Sequence, residues 1–128
     1  MSDELILIVE DDPTLQLIAK IMMRKLGHFC EVVGTGEAAL EQEPERLGLI
    51  FMDVGLPGMN GIQATTLIRE REATQGLRRI PIIAITGHGD RESCIKSGMD
   101  DYLQKPAMIS DFEKMLDKWL FAKSAASN

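Results

Sequence analysis

Leu5-Ile6-Leu7-Ile8-Val9 is an unbroken apolar run that stops abruptly at three acids, Glu10-Asp11-Asp12. A run of this kind is the pattern of a strand covered on both faces, as in a parallel sheet. The pattern recurs at Leu47 to Met52 and at Ile80 to Ile85, with shorter β-like pieces at Cys30 to Val33 and Asp101 to Leu103. Segments with helical signals lie between and after them: Pro13 to Leu26, Gly36 to Glu43, Gly61 to Thr74, Asp90 to Ser97 and Ile109 to Lys123. Five strands alternating with five helices predict an α/β fold, a doubly wound five-stranded parallel sheet in three α/β/α layers.

Composition adds limits to that picture. The 128 residues are 45% hydrophobic and 27% charged, the profile of one domain, expected over residues 1–123 with a frayed polar tail from Ser124 to Asn128. No stretch reaches the ~20 apolar residues of a spanning helix, and the start lacks the basic and apolar regions of a secretory signal. A cytoplasmic location without membrane contact is therefore expected. Fourteen Lys and Arg against 20 Asp and Glu give a net charge of −6, and the bases are scattered. A phosphate backbone needs a concentrated positive patch, so direct nucleic-acid binding is not expected. Cys30 and Cys94 lack metal-site or disulfide-framework spacing and read as free thiols.

Doubly wound sheets carry their functional groups at the carboxyl ends of the strands. Here those ends hold Glu10-Asp11-Asp12, Asp53, Thr86-Gly87-His88 and Gln104-Lys105-Pro106. Converging carboxylates repel one another unless a cation lies among them, and an all-oxygen set suits Mg2+, with Mn2+ as an alternative, rather than zinc. His28 and His88 are too isolated to alter that choice. Lys105 adds a positive charge and Thr86 a hydroxyl. Together these groups are the parts needed to place a phosphoryl group on an aspartate, with Asp53, alone after its strand, as nucleophile. Any one of these acids alone reads as a cap or solvated loop residue. Asp12 before Pro13 fits an N-cap with proline at the first helical position.

Four segments together are far more specific: Leu7-Ile8-Val9-Glu10-Asp11-Asp12-Pro13, Met52-Asp53 through Asn60-Gly61, Ile85-Thr86-Gly87-His88, and Asp101-Tyr102-Leu103-Gln104-Lys105-Pro106. In this order and spacing the chain resembles the response regulator receiver domain of two-component signal transduction, a CheY-like family with flavodoxin-like topology. The resemblance implies Asp53 as phosphoacceptor, and a metal site of Glu10, Asp11, Asp53 and the Gly55 carbonyl. It implies Lys105 and Thr86 as catalytic partners, and Thr86 with Tyr102 as the switch pair. The implied donor is a phosphohistidine on a histidine kinase or histidine phosphotransfer protein, and the implied role is a signalling module rather than a turnover enzyme. The wording of Asp53 to Gly61 and of Gly98 to Pro106 resembles receivers of hybrid histidine kinases. Gly55 and His88 fall where the family varies and where side chains affect the lifetime of the phosphoryl group.

Two rivals fit less well. A Mg2+-dependent phosphatase with an aspartyl nucleophile would need a second catalytic acid in D-x-D register after the first strand. An FMN carrier on the same topology would need a phosphate-cradling loop where Glu10-Asp11-Asp12 stands. One further feature concerns the donor. At 100° per residue, Gln16, Lys20 and Arg24 form a narrow polar stripe on the first helix, and apolar residues spread over more arc than a core-facing stripe requires. The surplus suits a partner helix, with Leu15 and Ile18 as exposed docking anchors.

Overall fold

A computed structural model describes residues 4–87 and 91–121 of the chain. Strands β1 (Leu5–Val9), β2 (Cys30–Val33), β3 (Leu47–Asp53), β4 (Ile82–Thr86) and β5 (Asp101–Gln104) form one sheet. Their order is β2-β1-β3-β4-β5, and every pairing is parallel. Helices α1 (Pro13–Lys25), α2 (Gly36–Leu40), α3 (Gly61–Gln75), α4 (Arg91–Ser97) and α5 (Ile109–Leu116) alternate with them. The doubly wound fold expected from the apolar runs is the fold observed.

Period-two alternation along the strands builds two cores. Leu7, Val9, Met52 and Ala84 join Ala64 and Ile68 of α3 and Cys94 of α4 on one face. Ile8, Phe51 and Ile83 join Ala19 and Met23 of α1 and Phe112 and Leu116 of α5 on the other. Phe51 meets Phe112 edge-on with ring centroids 4.8 Å apart, worth about 1 kcal/mol beyond the buried area. Cys94 is buried and Cys30 half-buried, and both are free.

Element boundaries differ from the sequence expectation for identifiable reasons. Strands β3 and β4 run one residue past their apolar runs, to Asp53 and Thr86, because the ladder is made by backbone and Asp53 still pairs with Ile85. Strand β4 starts at Ile82 rather than Ile80, after Pro81, which has no N–H to donate. Helix α2 stops at Leu40 rather than Glu43; Pro44 disfavours a helical residue before it, and Glu43 is extended at ψ 116°. Helix α5 is regular only to Leu116 and continues as a π-helical stretch over Asp117–Phe121. His88, Asp90, Lys123 and the expected tail from Ser124 to Asn128 lie outside the described residues.

Two close fits place the site. The Asp12 side chain accepts from the Thr14 and Leu15 amides with Pro13 at the first helical position, so α1 begins directly after the acids of β1. Asn60 caps α3 in a reciprocal capping box with Gln63. Gly61 brings the start of α3 so close to the end of β3 that a Cβ there would overlap the Asp53 carbonyl oxygen. Before it, Gly58 turns the chain with φ 69°.

The opposite end of the sheet is cross-linked by charge. Arg69 donates to Glu72, Asp100 and the Gly98 carbonyl, each through one nitrogen at 2.8 Å. Arg79 also binds Asp100, and the Ile80 and Ile82 amides donate to Glu72 and Asp100 at 2.9 Å. At the sheet edge, buried Asp101 accepts from Lys118 at 2.8 Å and from the Trp119 indole at 3.0 Å, tying the π-helical stretch to β5.

Candidate functional site

The strand order fixes which loops can meet. Because β1 and β3 are neighbours and β4 and β5 follow, the carboxyl ends of β1, β3, β4 and β5 lie along one edge. Glu10, Asp11 and Asp53 each offer a carboxylate oxygen within 4.8 Å of the others'. Asp53, at 3% exposure, and Glu10, at 7%, are buried, and Asp11 is exposed. Lys105 reaches into the group, with Nζ 3.0 Å from Asp53 Oδ2 and 3.6 Å from Glu10 Oε1.

Each buried carboxylate is held in place. The Gly55 amide donates to Asp53 Oδ1 at 2.9 Å, leaving Oδ2 to Lys105. The Asp12 amide donates to Glu10 Oε2 at 3.0 Å. Gln16 donates through Nε2 to the Glu10 carbonyl at 2.6 Å, which pins the residue just after β1 to the first turn of α1. Sequence reasoning assigned Gln16 only to a polar stripe. The available signal was its place four residues after the Asp12 cap, one helical turn from the acids.

The electrostatics follow from crowding. Burial pushes the Glu10 carboxyl above its ordinary value, with the charges of Asp53 and Asp11 adding to the effect, against the Asp12 amide and the Lys105 ammonium. For Lys105, burial is the largest single influence and works downward. The Asp53 hydrogen bond and the charges of Asp53 and Glu10 outweigh it and hold the ammonium above its usual range. Three carboxylates against one ammonium leave an oxygen-only donor set with excess negative charge, which fits a hard divalent cation.

The remaining predicted residues take these positions. Thr86 is buried as the last residue of β4. Tyr102 is half-buried on β5, paired with Ala84 one alternation below Thr86, and packs on the α3/α4 side of the sheet. The peptide between Lys105 and Pro106 is cis. Leu15 and Ile18 are 38% and 39% exposed on α1. With Met22, Met108 and Phe112 they line an apolar cleft of about 490 Å3 that ends at Glu10 and Lys105. A more open depression of about 590 Å3 along α3, at Gly58, Ile62 and Leu67, holds none of the acids. Among the described residues, no helix is long and apolar enough to cross a membrane.

Comparison with known proteins gives a consistent result. Residues 6–117 match the response regulator receiver domain family. Sensor protein GacS of Pseudomonas syringae pv. syringae is 36% identical over 89% of the chain, which spans 13% of that protein. Hybrid signal transduction histidine kinase G of Dictyostelium discoideum is 37% identical over 89% of the chain, which spans 3% of it. The receiver domain of sensor histidine kinase PA1611 from Pseudomonas aeruginosa, solved with a magnesium ion coordinated in its active-site cleft, is 38% identical. It superimposes with a TM-score of 0.76 over 92% of this chain and 98% of that one. A chain from the complex of the Saccharomyces cerevisiae histidine phosphotransfer protein Ypd1 with the receiver domain of the response regulator Ssk1 is 31% identical, with a TM-score of 0.85 over 91% of this chain and 88% of that one. The order of strands, the acids at their ends and a family match across nearly the whole sheet agree, and the chain belongs to the response regulator receiver domain family.

Proposed function

We propose that this domain is a phosphorylation-switched signalling module in which Asp53 takes a phosphoryl group from a partner's phosphohistidine. The observation that carries the reading is the Lys105 ammonium 3.0 Å from an Asp53 oxygen, inside a group of three carboxylates at the ends of neighbouring strands. An Asp53 carboxylate oxygen attacks phosphorus in line, the P–N bond to the donor imidazole breaks, and the imidazole leaves with the bond's electron pair and is protonated. Gly55 N–H fixes the carboxylate's orientation, and Lys105 is placed to exchange its Asp53 pairing for the incoming phosphoryl oxygens. Thr86, at the end of the adjacent strand, supplies a hydroxyl to the same oxygens. Glu10, Asp11, Asp53 and the Gly55 carbonyl would hold Mg2+, or Mn2+ in its place. That cation supplies charge neutralisation on the transferring group.

The donor docks on α1. Leu15 and Ile18 stand exposed at the mouth of the apolar cleft, beside the acids, where a histidine-bearing helix must lie to reach Asp53. The complex of Ypd1 with a receiver domain supports a phosphotransfer protein or histidine kinase as that partner. Sensor and hybrid histidine kinases among the relatives favour a place for this receiver within a hybrid kinase in the cytoplasm.

The test is chemical. Acetyl phosphate with Mg2+ should add one phosphate by intact mass, with no adduct in EDTA or in Asp53→Asn. An adduct that persists in Asp53→Asn overturns the assignment.

A further inference from the structure

The guanidinium of Arg91, the first residue of α4, lies over the ring of Tyr102 on β5, 5.9 Å from its centroid. Tyr102 is half-buried and packs against the core cluster that includes Ala84, Cys94 and Met99, and Arg91 reaches its ring from the exposed start of α4. Ala84 pairs with Tyr102, and Thr86 lies one alternation farther along β4 on the same face. The register thus puts the buried Thr86 on the same face as Tyr102, two residues along the neighbouring strand from its partner Ala84, while a cation lies over the ring.

We propose that Arg91 is a positioning residue for the switch, holding the half-buried Tyr102 ring in the place it occupies in this structure. The inference rests on the proposed function and on the switch pair that the resemblance implies: Thr86 turns to the phosphoryl oxygens, and the Tyr102 ring moves into the space it leaves. A cation is attracted to the face of an aromatic ring by its quadrupole, and at an exposed site the contact favours one arrangement about two- to fivefold. A ring that moves toward Thr86 gives up this contact with the guanidinium at the start of α4, so the preference opposes the phosphorylated arrangement. Arg91 touches neither the acids nor the phosphoryl group and acts only through Tyr102.

Tyr102 is the single tyrosine of the chain, so 3-fluorotyrosine labelling gives one fluorine resonance without further mutation. It is recorded for wild type, Arg91→Gln and Arg91→Lys, each before and after loading with beryllium fluoride and Mg2+ as a phosphoryl mimic. Before loading, Arg91→Gln should lie partway toward the loaded wild-type position, by the fraction a two- to fivefold population change produces. Arg91→Lys, which keeps a cation, should lie nearer wild type. After loading, all three should coincide. A wild-type resonance that moves on loading, with Arg91→Gln superimposed on it beforehand, overturns the role of Arg91 alone. A wild-type resonance that does not move overturns the switch and this inference with it. Displacement of Arg91→Gln that is equally large in both states would show a disturbed helix start instead, and would also overturn it.

Discussion

Asp53→Asn should make the cation-free domain more stable while destroying its proposed function. The substitution deletes two repulsions, with Glu10 and Asp11 at no more than 4.8 Å, and one attraction, to Lys105 at 3.0 Å. At an effective dielectric near 20 each repulsion is about 3 kcal/mol or more and the attraction about 5–6 kcal/mol. All scale together with the dielectric, so at this value the repulsions win by a margin of about 1 kcal/mol or more. Asp53 is also almost wholly buried, and an uncharged amide escapes part of the desolvation penalty of a carboxylate. Its carbonyl oxygen can still accept from the Gly55 amide. The expected gain in EDTA is about 1–3 kcal/mol, a rise of roughly 1 M in the urea midpoint for a slope of about 2 kcal/mol/M. Mg2+ should close or reverse the gap, because a ligand at 100 times its dissociation constant stabilises wild type by about 2.7 kcal/mol and the variant has lost a carboxylate ligand. Trp119, the only tryptophan, reports unfolding by fluorescence. A variant no more stable than wild type in EDTA, or a gap that Mg2+ leaves unchanged, would refute the account of three acids sharing one cation.

Two other outcomes follow from other parts of the fold. For Asp101, burial is the largest influence and pushes its carboxyl up, but the Lys118 and Trp119 hydrogen bonds and the Tyr102 amide together hold it below the ordinary value. Its contribution is therefore present above the unfolded value, near 3.9, and is lost as pH falls through the lower folded value. Trp119 emission should shift to the red in that window before far-UV circular dichroism is lost, and emission that stays constant until the circular dichroism itself is lost would contradict the tie. Leu15→Ala with Ile18→Ala should slow transfer from a phosphohistidine protein about tenfold or more, given two apolar anchors of about 1 kcal/mol or more each, while acetyl phosphate labelling stays near wild type; equal loss in both assays would assign these residues to the fold.

Much of the fold and the outline of the site were legible in the sequence, because both are carried by local pattern. Apolar runs stopping at Glu10, Asp53 and Thr86, and a short β-like piece just before Gln104-Lys105, place those residues at strand ends, and a parallel order brings strand ends to one edge. The excess apolar arc of α1 was likewise visible, and Leu15, Leu17, Ile18 and Ile21 are all exposed. What was not legible depends on partners far apart in the chain. Arg69 with Asp100, Arg91 with Tyr102 and Asp101 with Trp119 are pairings that no local periodicity announces. Asp101 was read only as the start of a strand, yet its carboxylate anchors the C-terminal helical stretch. The last turns of α5 were expected to be regular, and nothing in Asp117–Phe121 signals the change to π geometry.

The two ends of the sheet are built on opposite electrostatic principles, and the contrast bears on how a switch could work. At the amino end of β4, Glu72 and Asp100 are each met by arginine and by backbone amides, so a well-satisfied network clamps Gly98 and Asp100, just after α4, to α3. Such a network is costly to break at one member, since that leaves buried charge unpaired. At the carboxyl end, three acids share one ammonium, and their repulsion is relieved when further positive charge arrives. On the proposed function, phosphorylation at Asp53 would act on the under-satisfied end, while the Arg69 network keeps the C-terminal end of α4 where it is. On the proposed switch, a change in the place of Tyr102 is taken up at the other end of that helix, at Arg91.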